Sequence, residues 1–584
     1  LFWRLDGVDP GAFASVAMFD DGLHEDGSPA DGVYAGAIPP QAHDAIVEFY
    51  LDASDADGWV RHWPGPVREL DGTLAQVANA LYQVDDERYA GEQPLYKLIL
   101  RESDYAELYA IGHASNGDQR SDAQFNATFL SLDGTGEECR YAVGVRNRGH
   151  GTRNLQPNNW RVNFRSDEPW RGVSALNFNG HYTHLQHLGS ALSLASGLAA
   201  AQARPAQLRV NNANLGLTSG RMFNTTYVVN EVYNSEFADH RFPDDGSGNL
   251  YRALRDLPPS DFTWRGTNAS AYTNTWFKTT NASEDDWADL IELARVLGTN
   301  DLYSAAAARR VADVDQWLRY FAVMALLNNR ETSPNRGYND DYLLYSGVLD
   351  PRFQLLPYDL DTILGQGDAF GATTNSLFGA VGQPAFQRIL EEPEFRDAYY
   401  RTLRRLLATS FAPERFEALV DQMLSGYVPA ATRDSIKSWM TARRDYVRSQ
   451  IPADLPPEVT VRATLLGVPR SPTPATAVHL RVGGVGVAEY RYSLDAPPIG
   501  QAVHSGTLIE LPALPAGSHQ LRVVGGTADG IWQDETASTT VFWVVSPAWP
   551  AVRLNEVLAR NETAAPHEGR SEEHTSELQS RQVI

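Results

Sequence analysis

The period of the hydrophobic pattern changes part-way through the central region of the chain, and this change constrains the fold most. Residues 93–452 begin with segments that alternate apolar and polar side chains, which predicts strands. They continue with segments whose apolar residues recur at helical spacing. The predicted strands are Asn126–Leu132, Tyr141–Arg146, Asn159–Arg165, Gln207–Asn211 and Thr226–Tyr233. The predicted helices are Asp313–Asn328, Glu394–Leu407, Pro413–Leu424 and Thr432–Gln450. This order predicts one large α+β domain.

β-rich regions flank this domain. Residues 1–65 form short alternating segments separated by Asp-Gly turns, and residues 66–92 read as a polar linker with a short helix at Thr73–Tyr82. A Pro-rich boundary at Pro452–Pro457 precedes residues 458–546, whose short strands are typical of a β-sandwich. Residues 551–569 begin a further module. The predicted order is therefore a β module, a linker, the α+β domain, a β-sandwich and the start of another domain.

Both ends of the sequence suggest that it is a fragment. The chain starts at Leu1, without a methionine, so we expect a truncated first module whose signal peptide is not seen. Near the other end, Arg570–Ser580 matches the conceptual translation of a common sequencing-adapter oligonucleotide. We therefore interpret residues 570–584 as an assembly artefact and the module at 551–569 as cut short.

Composition excludes several classes of protein. The 584 residues carry 73 acids against 49 bases, a net charge of −24, without a Lys/Arg-rich run, so nucleic acid is not an expected partner. Cys139 is the single cysteine, which excludes an intrachain disulfide and Cys-rich zinc sites. The longest apolar run, Tyr320–Leu327, is too short to cross a bilayer of about 30 Å, so no membrane span is expected in this sequence.

The basic residues are divided unevenly. Only Lys97, Lys278 and Lys437 are lysines, and the remaining 46 bases are arginines. Any chemistry that requires a lysine therefore has three candidates.

The segment Asn328–Asp361 concentrates acidic residues around two predicted strands. They are Glu331, Asp340, Asp341, Asp359 and Asp361. Carboxylates at positions i and i+2 of a strand end can point the same way where the chain turns. Mg²⁺ prefers oxygen ligands of this kind, often together with substrate phosphates, and phosphoryl transfer uses such a site. The alternative is a set of solvated turn formers, but clustered acids repel one another unless something binds them.

Two further segments fit phosphate binding. In Val145–Arg165, a loop with Gly149 and Gly151 joins two strands and is flanked by Arg148 and Arg153, so its amides could cover phosphates. An ordinary hairpin is the other interpretation. The strand Tyr227–Glu231 ends in a carboxylate that could pair with a cation or a metal, or simply cap the strand.

Three histidines, His181, His184 and His187, recur at intervals of three after Asn179-Gly180. On a helix they would lie roughly on one side, so a metal site is conceivable. Partly exposed positions at a helix start are the expected interpretation.

Nine short segments, in order, resemble the spore coat protein H (CotH) kinase-like family. They are Arg146–Gly149, Pro157–Phe164, Leu208–Asn211, Tyr227–Glu231, Leu250-Tyr251, Phe277–Asn281, Val314–Asn329, Asp341–Tyr345 and Leu356–Asp361. The resemblance covers most of residues 93–452. It implies an atypical protein-kinase-like fold that uses ATP and a divalent metal, Mg²⁺ or Mn²⁺, to phosphorylate protein hydroxyls.

The resemblance also implies roles for single residues. Asp359 matches the metal-binding aspartate of the family, and Asp361 is its neighbour in the same motif. The catalytic position, usually aspartate, falls at Glu331, and the following metal-binding asparagine falls at Asp341. Glu231 matches the glutamate of the family pattern.

The chain departs from the family at Pro157-Asn158-Asn159, where the family usually has Pro-Lys-Lys. Asparagine lacks the positive charge that holds phosphates. Arg161 or Arg165 could replace it, although Arg and Lys differ in geometry. Lys278 is another candidate, and Arg148 and Arg153 would stabilise phosphate charge.

The flanking modules resemble immunoglobulin-like sandwiches, and Val552–Ala564 resembles the opening strand of a lamin-tail-like domain. This combination is typical of secreted or surface bacterial mosaic proteins, so we expect an extracellular or cell-surface location, with cell-surface partners and an unknown protein acceptor. The alternative is a non-catalytic surface or adhesion protein whose central domain is a pseudokinase or a scaffold. A carbohydrate-active enzyme with paired acids is a third, weaker interpretation, because no aromatic-lined acid pair is recognisable.

Overall fold

The structure is a computed structural model. It describes residues 1–7, 9–68, 71–114, 121–149, 151–254, 260–329, 341–368, 371–378, 384–455, 461–484, 486–495, 499–528 and 530–548, with two short strands at Pro566–His567 and Arg570–Ser571. The chain forms two compact units. The first contains residues 1–346 and 352–456, and the second contains residues 347–351 and 457–584. No helix in the described ranges is long and apolar enough to cross a membrane.

The first unit opens with seven short strands. They are β1 (Phe2–Leu5), β2 (Ala14–Ser15), β3 (Ile46–Ser54), β4 (Val60–Trp63), β5 (Val67–Arg68), β6 (Leu74–Ala75) and β7 (Ala80–Gln83). β1 to β4 form an antiparallel sheet in the order β2-β1-β3-β4, β7 also pairs with β3, and β5 pairs with β6.

The helix predicted at Thr73–Tyr82 is wrong, because β6 and β7 occupy this segment. Pairing with β3 and burial of Leu81 against Ile46 and Ile99 outweigh the local pattern. Leu81 of the predicted linker thus packs with one residue of the first module and one of the central domain.

A closed sheet of seven strands follows. Its elements are β8 (Leu95–Ile99), α1 (Glu102–His113), β9 (Phe125–Leu132), β10 (Glu137–Arg148), β11 (Asn159–Asn163), β12 (Ala175–Asn179), α2 (Thr183–Ala195), β13 (Ala203–Val210) and β14 (Tyr227–Asn230). The strand order is β10-β11-β12-β14-β13-β8-β9, and β9 pairs with β10 to close it. Large buried side chains, among them Phe129, Trp160 and Phe178, pack in one cluster on the inner face. Alternate residues therefore face outward.

The second half of this unit is mostly helical, as predicted. Its elements are α3 (Ser235–Arg241), β15 (Asn249–Ala253), β16 (Trp276–Lys278), α4 (Ala288–Gly298), α5 (Ala305–Val311), α6 (Val314–Leu327), β17 (Tyr342–Ser346), β18 (Gln354–Pro357), α7 (Pro384–Glu391), α8 (Pro393–Ala408), α9 (Pro413–Leu424) and α10 (Ala430–Gln450). The strands form an antiparallel sheet in the order β16-β15-β17-β18. The α+β class is confirmed.

α6 is the central helix of this half, with nearly all of its residues buried. The Asp313 side chain accepts a hydrogen bond from the Gln316 amide and caps its first turn. At its other end, the fully buried Arg443 of α10 donates to the carbonyl of Ala325 at 2.7 Å and to those of Thr373 and Asn375 at 2.8 and 2.6 Å. Burial lowers the pKa of Arg443 to about 10. This guanidinium fixes the end of α6, just before the acidic segment.

The second unit contains two sheets with a common core. One is formed by β19 (Thr464–Leu466), β20 (Val478–Gly483) and β23 (Leu508–Leu511), and the other by β21 (Glu489–Leu494), β22 (Val503–His504), β24 (Gly517–Gly526) and β25 (Thr539–Val545). Leu480, Tyr490, Leu521 and Trp543 are buried in this core, which is the sandwich arrangement predicted for residues 458–546. The immunoglobulin-like assignment of both flanks stays a prediction.

Two strands, β26 (Pro566–His567) and β27 (Arg570–Ser571), pair near the C-terminus. Residues 551–565, 568–569 and 572–584 lie outside the described residues. The lamin-tail-like start and the adapter-derived tail therefore stay predictions.

The sandwich contains a buried histidine with two acceptors. Nδ1 of His519 lies 2.8 Å from Oδ2 of Asp495, and Nε2 lies 2.9 Å from the carbonyl of Pro515. Burial alone lowers the pKa of His519, but the hydrogen bonds to Pro515 and Asp495 outweigh it and raise the pKa. The imidazolium can donate from both nitrogens, whereas the neutral ring can donate from only one.

A raised histidine pKa gives stability that is present below the unfolded-state value of about 6.5 and is lost as pH rises through the folded value. We therefore expect the sandwich to be more stable at about pH 6 than at about pH 8. His519→Gln should remove this difference and cost on the order of 1 to 3 kcal/mol at the lower pH, since hydrogen bonds from a charged donor are lost. Hydrogen exchange of β24 peptides would measure it, and an unchanged pH dependence in the variant would contradict the assignment.

Candidate active site

A cleft of about 990 Å³ is lined by the outer face of the closed sheet on one side and by the sheet β15–β18 on the other. β10, β11, β12 and β14 contribute arginines and asparagines. β15 contributes Arg252, β16 contributes Phe277, and the chain after β18 contributes Tyr358 and Asp359. Helix α2 adds Gln186 and Ser190. Two separate sheets of the first unit thus meet at a polar site.

A row of side chains crosses four strands of the closed sheet. Arg146 pairs with Arg161, Arg161 with Asn177, and Asn177 with Asn230. The neighbouring residues on these strands, such as Val145 and Val162, are packed inside. Because successive side chains point to opposite faces, the whole row faces the cleft.

The cleft holds more cationic groups than its carboxylates neutralise. Arg146 pairs with Asp122 at 2.7 Å. Arg148 instead donates to the Tyr358 hydroxyl at 3.3 Å, and the Arg252 guanidinium lies 4.4 Å from the centre of the Tyr358 ring. Within the described part of the chain, no carboxylate oxygen lies within 4.0 Å of Arg148, Arg161 or Arg252.

Arg161 is the most desolvated of these cations. Its Nε donates to Oδ1 of Asn163 at 2.7 Å. Burial, with the charges of Arg146 and Arg148, lowers the pKa of Arg161 to about 10. A bound anion would oppose both effects, since an opposite charge favours the charged form.

Asp359 faces these arginines from the other half of the cleft. It follows β18, and its backbone has a φ of 28°, so the chain turns sharply there. The Nε2 of Gln186 donates to its Oδ1 at 3.3 Å. Asp359 is the only predicted metal ligand that lines the cleft in the described part of the structure.

Asp361 takes a different partner from Asp359, although they are two residues apart. It is buried, and its Oδ2 lies 2.8 Å from Nδ1 of His181, whose Nε2 lies 3.4 Å from Asp368. Burial, with the nearby charges of Asp359 and Asp368, raises the pKa of Asp361 well above its usual range. The two carboxylates thus have different described partners, and the expectation that they point the same way stays a prediction.

Asp341 directly precedes β17, with a φ of 61°. Tyr342 pairs with Pro357, so Asp341 and Asp359 come at the same end of the β17–β18 pair. Glu331 and Asp340 lie outside the described residues. The catalytic role of Glu331 and the metal roles of Asp341 and Asp361 stay predictions.

The asparagines at the family's lysine positions have structural partners. Asn158 is buried and donates to the carbonyls of Gly112 and Arg153, at 3.2 and 3.0 Å. The Oδ1 of Asn159 accepts from the Gly180 amide at 2.7 Å. Both therefore hold the loop that follows Gly149, whose φ of 111° only glycine adopts readily.

Three residues predicted to bind the nucleotide have protein partners of their own. Arg153 is buried against the carbonyl of Asn147 and Asp122 and does not line the cleft. Glu231 lines it but pairs with Arg241 at 2.8 Å. Lys278 faces the opposite side of β16 from Phe277, donates to the Asp286 carbonyl at 2.5 Å and lies 5.7 Å from the Tyr251 ring. Arg153 thus meets the arginine row through the Asp122 carboxylate that it shares with Arg146, and Lys278 is held away from the cleft.

The other two lysines are also paired away from the cleft. Lys97 contacts Asp85, and Lys437 contacts Asp421 at 2.6 Å. The cations that line the described cleft are thus all arginines.

Sequence reasoning missed Arg146, Asn177, Asn230, Gln186 and Arg252. Strand alternation could have placed Arg146 on the face of Arg148. The sequence carries no signal for the others, because only the pairing register and the packing of α2 bring them to the cleft.

The three spaced histidines are buried rather than partly exposed, and they diverge. His184 lies 2.9 Å from Oε1 of Gln366, and His187 lies 3.1 Å from the Tyr427 hydroxyl. Among the described residues, no group of three His, Cys, Asp or Glu side chains could hold a metal. A site in which Asp359 shares the cleft with several arginines fits a divalent ion that binds together with phosphates, since Mg²⁺ is usually held by one or two carboxylates plus substrate oxygens.

Comparison with known proteins identifies the family of this chain. The family model "CotH kinase protein" matches residues 145–450, a little over half of the chain. The chain belongs to the CotH kinase family. The inner spore coat protein H of Bacillus subtilis is 24% identical over 311 residues, which cover 51% of this chain and 80% of that protein. The twitchin kinase region from C. elegans, at 12% identity, aligns over 93% of both chains with a TM-score of 0.16, which carries no argument about the fold.

Proposed function

We propose that this CotH-family cleft binds ATP with Mg²⁺ or Mn²⁺ and transfers the terminal phosphoryl group to a protein hydroxyl. One observation carries the proposal: Arg148, Arg161 and Arg252, which have no carboxylate partner among the described residues, line the same cleft as Asp359. Such a set of charges suits a polyphosphate with a cation. The volume of about 990 Å³ lies in the range of small-molecule sites.

The arginines would replace the lysine of the family. A guanidinium is always charged near neutral pH and offers a planar set of donors that matches phosphate oxygens. Arg148 and Arg161, on adjacent strands, would hold phosphate oxygens and stabilise the charge that develops on them. Asp359 would hold the metal, which when bound supplies neutralisation of phosphate charge. Glu331, three residues beyond Asn328 at the end of α6, would accept the hydroxyl proton of the acceptor.

A scaffold function without transfer is the second candidate. The observation that favours it is that Asn158 and Asn159 occupy the family's lysine positions and hold backbone groups instead. Nucleotide binding alone would then position the domain for a partner.

The location proposed for the protein is the cell surface or the exterior. Its curated relative is a spore coat protein. The sandwich of the second unit, held by its own core, suits a display or adhesion module in the same chain as the kinase-like domain.

Radiolabelled ATP incubated with the full chain and Mn²⁺ or Mg²⁺ tests the choice. Label transferred to the chain itself or to added protein is expected. Nucleotide binding without transfer would overturn the transferase and support the scaffold, whereas absence of nucleotide binding would overturn both.

The role of the arginine row can be tested by affinity. Arg161→Met keeps the length of the side chain but removes the charge, and we expect it to weaken binding of a non-hydrolysable ATP analogue by about 10- to 100-fold. Arg165→Met is a matched control, because Arg165 lies two residues past β11 and pairs with Asp167. Isothermal titration calorimetry measures both, and equal affinities for the two variants would contradict a phosphate contact from Arg161.

A further inference from the structure

Helix α2 packs unusually close to the segment that carries Asp359. A Cβ placed on Gly189 would lie 2.9 Å from Cβ of Leu360 and 2.9 Å from Cδ1 of Ile363. Only glycine permits this approach without displacement of the neighbours. The position of α2 therefore fixes the distance from its other side chains to Asp359.

Gln186, one turn earlier on α2, makes two directed contacts. It is 5% exposed, its Nε2 donates to Oδ1 of Asp359 at 3.3 Å, and its Oε1 accepts from Nδ2 of Asn230 at 2.6 Å. Asn230 ends the polar row that begins at Arg146 and Arg161. A continuous line of polar groups thus joins the arginine row to Asp359.

The carboxylate determines the direction of these hydrogen bonds. An ionised carboxylate only accepts, so Gln186 must present its NH₂ group to Asp359 and its oxygen to Asn230. Asn230 must then present its own NH₂ group to Gln186. If either amide were reversed, an amide oxygen would face a carboxylate oxygen or a second amide oxygen.

We propose that Gln186 is a positioning residue for Asp359, with Asn230 setting the orientation of its amide. The inference rests on the proposed function, because it takes Asp359 as the metal ligand. The donated hydrogen bond restricts rotation of the carboxylate and holds it ready for a cation brought in with the nucleotide. Removal of such a partner of a metal ligand typically costs about 10- to 100-fold in metal affinity.

Two variants test the relay, that is, the hydrogen bonds that run from Asn230 through Gln186 to Asp359. Gln186→Leu removes the donor with little change in volume. Asn230→Asp leaves Gln186 intact but replaces a donor with an acceptor, so the amide of Gln186 should turn its oxygen toward Asp359. The added negative charge by itself would strengthen cation binding, so weaker binding identifies the reversed amide.

Gln207→Leu is the matched control. Gln207 is also buried in the closed sheet, and its Nε2 donates to Gln93 and to the Asn224 carbonyl at 2.8 and 2.9 Å, but it does not line the cleft. It reports the general cost of removing a buried amide.

Mn²⁺ affinity of the full chain is measured by electron paramagnetic resonance, with a non-hydrolysable ATP analogue present, and the Mn²⁺-dependent shift in thermal midpoint is a second readout. We expect the Mn²⁺ dissociation constant to rise about 10-fold or more in Gln186→Leu and Asn230→Asp and to stay within about 2-fold in Gln207→Leu. Wild-type affinity in both cleft variants would overturn the relay alone. An equal loss of Mn²⁺ affinity in Gln207→Leu would show that the effect is not specific to Gln186 and would overturn the relay. Absence of Mn²⁺ binding by the wild type would overturn both the relay and the proposed function.

Discussion

Asp359→Asn is expected to lower the rate of phosphoryl transfer by about 1000-fold. The change keeps the shape of the side chain and its contact distance to Gln186, but it removes the negative charge that faces the arginines. Without that charge the metal ion loses its ligand, and the phosphates contact only Arg148, Arg161 and Arg252. A nucleotide should still bind through the arginines, but without the metal-stabilised arrangement of its phosphates.

The measurement is transfer of radiolabel at saturating Mn²⁺ and ATP, with nucleotide affinity measured in parallel. Asp434→Asn is the control, since Asp434 is an exposed aspartate on α10 away from the cleft. A variant Asp359→Asn that transfers at the wild-type rate would exclude Asp359 as the metal ligand. Loss of nucleotide binding in the same variant would instead place Asp359 in nucleotide binding itself.

The sequence predicts the secondary-structure elements of this fold better than it predicts how they pack against one another. Alternation over 126–132 and helical spacing over 313–328 correspond to β9 and to α6, because each segment is long enough to show the period of its apolar residues. β7 was predicted as part of a helix because its four residues have too few neighbours in sequence to show a period. Its strand conformation is stabilised by pairing with β3 and by burial of Leu81, and both are tertiary contacts.

The candidate site is predicted in part for the same reason. Asp359 follows a recognisable strand, and Arg148 belongs to a family motif. The pairing of Arg146 with Arg161, by contrast, depends on the register between β10 and β11, which no local pattern specifies. Spacing also does not specify that Asp359 accepts a hydrogen bond from Gln186 while Asp361 contacts His181.

The shortage of lysine also has a physical consequence. Each lysine is held by a local acceptor, and the cleft relies on guanidiniums. A guanidinium keeps its charge when partly buried more readily than an ammonium does, as the pKa of Arg161, still about 10, illustrates. A cation row on a sheet face packed against a second sheet therefore suits arginine.

Acid is expected to destabilise the first unit strongly, through two histidines of α2. Burial lowers the pKa of both His184 and His187 to about 4. In the unfolded chain the value is about 6.5, so between these values the unfolded state binds protons that the folded state does not. For a lowered histidine pKa, stability is fully present above about 6.5 and is lost as pH falls toward 4.

The expected loss between about pH 7 and about pH 5 is roughly 2 kcal/mol for each histidine, and roughly 4 kcal/mol for both if they act independently. That is a large share of the free energy of unfolding of a typical domain, which is about 5 to 15 kcal/mol. Asp361 works in the opposite direction, because its raised pKa favours the folded state as pH falls. The total pH dependence of the unit therefore combines both contributions, and variants are needed to separate them.

His184→Gln and His187→Gln stay neutral throughout this range and so isolate each histidine. Free energies of unfolding are taken from urea titrations at the two pH values, with hydrogen exchange of α2 peptides to assign the transition. Whatever its stability at about pH 7, each variant should lose roughly 2 kcal/mol less than the wild type on acidification. His62→Gln, at an exposed histidine of β4, is the control and should leave the loss unchanged. If the wild type and both α2 variants lose equal stability on acidification, these histidines are not buried as neutral rings. The packing of α2 that brings Gln186 to Asp359 would then be contradicted as well.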